Sequence, residues 1–169
     1  MATRINTTID VVLEAIAARL RSELALSEAT CYWLIVDRDE QLPPPTSGAT
    51  FITISPDGAE FDASLIDGGG VEQVTTTTGV SVAIHSTLQL DRGGRDKEAL
   101  LNASKGILPI VLKVLKALTD HDLEVNEDGD TCLREPLRPT GYSAPQRMLD
   151  DKWTRISVYF AVSFDWDLA

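Results

Sequence analysis

The feature that limits the fold most is an alternation. From Val74 to Leu90 the even positions read Val, Thr, Thr, Val, Val, Ile, Ser, Leu, Leu. The odd positions read Thr, Thr, Gly, Ser, Ala, His, Thr, Gln. Successive side chains of a β-strand point to opposite faces, so this pattern makes one apolar and one polar face. At ~3.3 Å per residue an unbroken strand of that length reaches roughly 50 Å. Gly79 is a place for it to bend or bulge. A second alternation runs from Trp153 to Leu168, with Ile156, Val158, Phe160, Val162 and Phe164 on one side and Arg155, Ser157, Tyr159, Ser163 and Asp165 on the other. Two such strands are natural antiparallel partners, each with its apolar face against helices. The opposite face, rich in Thr and Ser, is expected to be wet or to meet another subunit.

Two helical patterns supply the covering layer. Ile9, Val12, Leu13, Ile16, Leu20 and Leu24 recur at helical spacing. They predict an amphipathic helix over about residues 7–25, with Thr7 or Thr8 as cap and Asp10 in the first turn. Residues 96–119 predict a second, with Leu101, Leu108, Val111, Leu112 and Leu115 on one side and Ile107, Ile110, Val114 and Leu118 widening the stripe. Pro109 falls inside it and is expected to kink it. CYWLIVD (31–37) reads as a buried strand, and FITISP (51–56) as a short strand ended by Pro56. The loops 38–50 and 56–73 read as flexible, the first holding three consecutive prolines and the second GGG at 68–70. HDLEVNEDGDTCLREPLRP (121–139) reads as two short strands around a turn, and RPTGYSAPQRMLDD as a polar loop. The sum is a single α+β domain over residues 1–169: a mostly antiparallel sheet with two long strands, packed on one face by two helices.

Composition narrows the function classes. The 169 residues suffice for one domain with a real core. No apolar run is long enough to span a bilayer, and the N-terminal stretch, broken by Asp10 and Glu14, lacks the pattern of a signal peptide. Cys31 and Cys132 lie far apart and read as reduced, packed thiols in a reducing cytoplasm. The net charge of −11 speaks against gripping nucleic acid, which takes clustered Lys and Arg. It suits solubility, or a surface that nucleic acid passes without sticking.

Candidate chemistry is thin. LDRGGRDKEALL (90–101) places two glycines between strand and helix, as phosphate loops do. It has neither phosphate-loop spacing, and Asp96 and Glu98 occupy the first helical turn where the anion would lie. A tight corner accounts for it. Glu124, Asn126, Asp128, Gly129, Asp130 and Glu135 fall at positions one, three, five, six, seven and twelve of a calcium loop. The first position there is ordinarily Asp, and Glu135 runs into PLRP, which cannot begin an exit helix; a turn explains the same residues. His85 and His121 have no Ser or Cys motif beside them, and Asp37/Asp39 and Asp165/Asp167 are ordinary pairs in a chain with 26 acidic residues. No catalytic residue, cofactor or metal is expected.

The N-terminal helix TTIDVVLEAIAARLRSEL, the strand VTTTTGVSVAIHSTLQL, the corner and Leu-rich helix LDRGGRDKEALLNASKGILPIVLKVLKAL, the DHDL that follows and the closing strand TRISVYFAVSFDWDL together cover most of the chain. In that order they resemble the tail terminator (tail-completion) and related neck proteins of tailed phages. The resemblance implies a homohexameric ring that caps the tail tube, stops its elongation and meets the head-side neck (head-completion) protein. DNA would pass through the lumen without specific binding, and no membrane would be involved. It further implies assembly in the host cytoplasm and a place in the virion tail or neck. A head–tail connector (stopper or adaptor) is the nearest alternative; a small calcium- or ligand-binding domain using 124–135 is an alternative of another class.

On this reading the expected contact residues are Arg92 and Arg95 at the corner, Asp67, Gly68, Gly69 and Gly70 in the flexible segment, and Thr75, Thr77, Ser81 and His85 on the polar strand face. Two outward arginines in so acidic a chain suit a neighbour's carboxylates better than DNA. Reversing both charges (Arg92→Glu with Arg95→Glu) should weaken assembly in size-exclusion chromatography with light scattering; unchanged assembly would remove this corner from the contact.

Overall fold

The computed structural model describes residues 7–34, 50–62, 73–86, 107–124, 130–148 and 153–167. Its elements in chain order are α1 (Ile9–Leu24), β1 (Cys31–Trp33), β2 (Thr50–Asp62), β3 (Gln73–Ser86), α2 (Ile107–Leu118), β4 (Arg138–Tyr142), β5 (Gln146–Met148) and β6 (Trp153–Asp167). The strands form one sheet in the order β1-β2-β3-β6-β4, with β5 also on β6. Among the described residues only the β1–β2 pair is parallel. This is the expected α+β architecture.

The two alternating segments pair as anticipated. β3 and β6 run antiparallel in continuous register from Gln73↔Asp167 to Ser86↔Thr154. Val80, Val82 and Ile84 thereby lie level with Phe160, Val158 and Ile156, and all six are buried. β2 adds Ile52 and Ile54 to the same face. α1 lies over β1 and β2, α2 lies over β3 and β6, and the helices touch each other. α1 contributes Val12, Leu13, Ile16 and Leu20 to the core, and Cys31, Leu123, Cys132, Leu133 and Leu137 close its ends. Both cysteines are free and buried, and burial pushes each thiol up to about 11.

Three local readings need correction. Pro56 does not end its strand: β2 continues to Asp62 through a bulge between Pro56 and Ala59. β1 pairs only as far as Ile54, so at Pro56 the missing donor falls on an edge and next to an irregularity, where a strand tolerates it. Gly58 takes a left-handed φ of 81° in the bulge, and the Thr78 hydroxyl donates to its carbonyl. Gly79 faces the bulge from the next strand; a Cβ there would stand 3.1 Å from Cβ of Asp57. The irregularity foreseen at Gly79 is therefore carried by its neighbour.

Second, RPTGYSAPQRMLDD is not simply loop, since β4 and β5 come from it. The long open edge of β6 gives them carbonyls and amides to pair with, and Pro139 sits where an outer strand can hold it. Within 121–139 the described residues show one antiparallel bridge, Glu124↔Thr131, with the Cys132 N–H bonded to the Leu123 carbonyl at 3.2 Å; the expected turn lies mostly outside the described residues. α2 is described from Ile107 onward; the part of the expected helix before it, residues 96–106, lies outside the described residues. Third, Leu112 leaves the apolar stripe. The buried side of α2 is Ile107, Val111, Val114, Ala117 and Leu118, and at 100° per residue Leu112 points to the far side, 66% exposed.

Thr8 holds the cap position of α1 with extended backbone angles but makes no side-chain cap bond. Thr7 instead donates its backbone N–H to the Asp165 carbonyl at 2.9 Å, tying the start of α1 to β6.

Phe160 is 1% exposed and stands on β6 level with Val80 of β3, within the core cluster. Phe160→Ala should cost about 3–5 kcal/mol, read as a lower denaturant midpoint at unchanged slope; a loss below about 1 kcal/mol would contradict this account of the core.

Candidate interaction surface

Three regions of the described chain gather polar or exposed apolar groups. The first is the sheet face turned away from the helices. Its expected openness is found at Thr77 but not at Thr75, Ser81 or His85, which are buried within the subunit. Phe51, Thr53, Ser55, Ala83, Trp153 and Ser157 share the same face and are buried too. The alternation sets the face on which these residues lie but not their burial, which extends to the large rings of Phe51, His85 and Trp153.

Two clusters lie at the ends of that face. At one end His85 stacks on Phe51 with ring centroids 4.5 Å apart, and Trp153 meets Phe51 edge-on at 4.6 Å. His85 Nε2 is 3.0 Å from the Thr53 hydroxyl, while Nδ1 and the Trp153 indole N–H are buried without a hydrogen-bond partner. Burial, reinforced by the neighbouring Arg155 guanidinium, lowers the imidazole to about 3. It is therefore neutral near pH 7 and a poor proton acceptor, which suits a packing role better than general-base catalysis. At the other end the Thr75 hydroxyl donates to the Asp165 carboxylate at 3.1 Å, and Arg134 reaches both. The Arg134 backbone N–H also bonds the Ser163 carbonyl at 2.7 Å. This node joins β3, β6 and the segment before β4.

The second region is a groove along α1. A cavity of about 390 Å³ is lined by Asp10, Val11, Glu14, Ala15, Ala18, Trp33 and Glu124. It shares Ala15, Ala18 and Glu124 with a neighbouring one of about 260 Å³, which adds Arg19, His121, Asp122 and Leu123. Val11, Ala15 and Ala18 recur at helical spacing along its floor. Glu14 is held in place by the Trp33 indole N–H at 2.8 Å and by Arg21 at 2.6 Å. Arg19 closes the far end, bonding the Ala117 carbonyl at 3.3 Å and standing 2.7 Å from His121 Nε2, and pairing with Glu23 at 3.1 Å.

The third region is the outward side of α2, where Leu112, Lys113 and Lys116 are exposed together. Neither the groove nor this patch was legible from the sequence. Val11 and Leu112 are apolar like their buried neighbours, so composition does not mark them. Arg92, Arg95, Asp67, Gly68, Gly69 and Gly70 lie outside the described residues, as do Asn126, Asp128 and Gly129 of the calcium-like spacing. Among the described residues no three His, Cys, Asp or Glu side chains converge as a metal site. No described helix is long and apolar enough to cross a membrane.

Compared with solved structures, the chain is similar to one in the virion of a native gene transfer agent particle. The match has a TM-score of 0.52 at 15% identity and covers 91% of this chain and 94% of that one. The likeness is one of fold. A second solved chain matches at 17% identity over 94% and 96% of the two lengths, with a TM-score of 0.46, too low to bear on the fold. No family model matches the sequence, and no curated protein does.

The His85 environment sets a pH dependence. In the unfolded chain the imidazole titrates near 6.5, in the fold near 3, so the unfolded state alone takes up the proton between those values. Stability should therefore fall as pH drops below about 6.5, by at most ~1.4 kcal/mol per pH unit from this group. His85→Gln should flatten the slope between pH 6.5 and 5 in denaturant titrations; an unchanged slope would mean that His85 is protonated in the folded protein.

Proposed function

We propose that this chain is a structural virion protein of the tail-terminator kind. It forms a homo-oligomeric ring, a hexamer by the family resemblance, that caps the tail tube, halts its growth and meets the head-side neck protein, with DNA passing through the lumen. Its role is assembly rather than catalysis, and it takes no cofactor.

The observation that carries this reading is the likeness of fold, over nearly the whole length of both chains, to a chain of a virion particle. The physical features are consistent with it. Long paired strands with a buried second face make a stiff plate. The net charge of −11 keeps the molecule from holding DNA by its phosphates. The neutral, enclosed His85 gives no opening for acid–base chemistry.

Particles assembled without this chain should carry tail tubes of uncontrolled length under the electron microscope, and adding the purified protein back should restore a uniform length. Tubes of normal length that fail to join heads would favour the connector reading instead. Normal particles would exclude both.

A further inference from the structure

We propose that two copies of this chain meet through their helices: the outward side of α2 in one copy seats in the acidic groove of α1 in the next. The contact deepens the ring-forming role proposed above and rests on it.

The argument begins with charge. A chain of net charge −11 repels its own copies, so a self-contact has to set a locally positive patch against a negative one. Arg19, Arg21, Arg134 and Arg138 each spend their charge inside the subunit, on Glu23, Glu14, Asp165 and Glu135. Among the described residues Lys113 and Lys116 have no ion pair. They stand beside Leu112 on the outward side of α2, and its 66% exposure is large for an apolar side chain.

The α1 groove is the matching surface. Asp10, Asp122 and Glu124 line it and likewise have no ion pair among the described residues. Its floor contains Val11, the other helix-borne large apolar side chain left exposed, at 37%. The groove is thus an apolar trough walled by carboxylates without an ion pair, and the patch is an apolar knob with two ammonium groups on one side of it. Seating one in the other buries Leu112 on Val11, Ala15 and Ala18 and brings each lysine to a carboxylate. Patch and groove are different surfaces of one molecule, so the contact is heterologous: each copy offers a knob to one neighbour and a groove to another, the arrangement that closes into rings.

The test is charge exchange, followed by sedimentation velocity over a range of protein and salt concentrations. The wild-type chain should self-associate at low salt and less so as salt rises. Lys113→Glu with Lys116→Glu should weaken association by roughly tenfold or more, as should Asp122→Lys with Glu124→Lys. The chain carrying all four reversals should recover it, and Leu112→Asp should weaken it without recovery. All these side chains are exposed, and circular dichroism checks that each variant folds. Zero-length carbodiimide coupling of the wild type should join Lys113 or Lys116 of one copy to Asp122 or Glu124 of another. A wild-type chain that stays monomeric to millimolar concentration overturns the contact, and so does a ring whose stability none of the reversals changes. Loss in both double variants with no recovery in the fourfold one also overturns it. None of these outcomes touches the virion role, which tail length reads separately.

Discussion

The structure depends on the antiparallel pairing of β3 with β6. That continuous register places Val80, Val82 and Ile84 beside Phe160, Val158 and Ile156, and so makes the apolar surface that both helices cover. A slip of one residue would turn every one of those side chains to the other face. The Thr75–Asp165–Arg134 node and the bond from Thr7 to Asp165 fasten the same pair at one end. The Phe51–His85–Trp153 stack fastens the other, with the strands on either side of β3 drawn in.

What could be read in the sequence was what periodicity encodes. Both long strands, their pairing, α1 and the one-sided helical layer all follow from spacing alone. The errors arose where a partner decided the outcome. RPTGY is polar and contains proline, and it is a strand only because β6 presents an open edge to it. Pro56 stays in β2 because a bulge and the short β1 spare it a bond. Thr75, Ser81 and His85 lie on the polar face as the alternation requires, yet their burial depends on what stands around them.

The interaction surfaces were less legible still. Val11 and Leu112 sit among many apolar residues, and only the helix azimuth in the fold separates them from the core. The same holds for charge. Which lysines and carboxylates are free is a matter of distances across the chain: Arg134 meets Asp165 and Arg21 meets Glu14, whereas Lys113 and Lys116 meet neither. In a chain with 26 acidic residues the uncommitted cations are the informative ones, and sequence cannot say which those are.

The sheet order has a kinetic side. β6 fills the place between β3 and β4, yet it is the last described strand to be made. During synthesis β3 waits with one edge bare while more than sixty residues, from Ser86 to Trp153, are added. Its partner follows only then, and pairing over so long a separation is slow. A nascent chain of this kind passes through a vulnerable interval with the edge of that strand unpaired, when capture by chaperones guards it against pairing with the wrong partner.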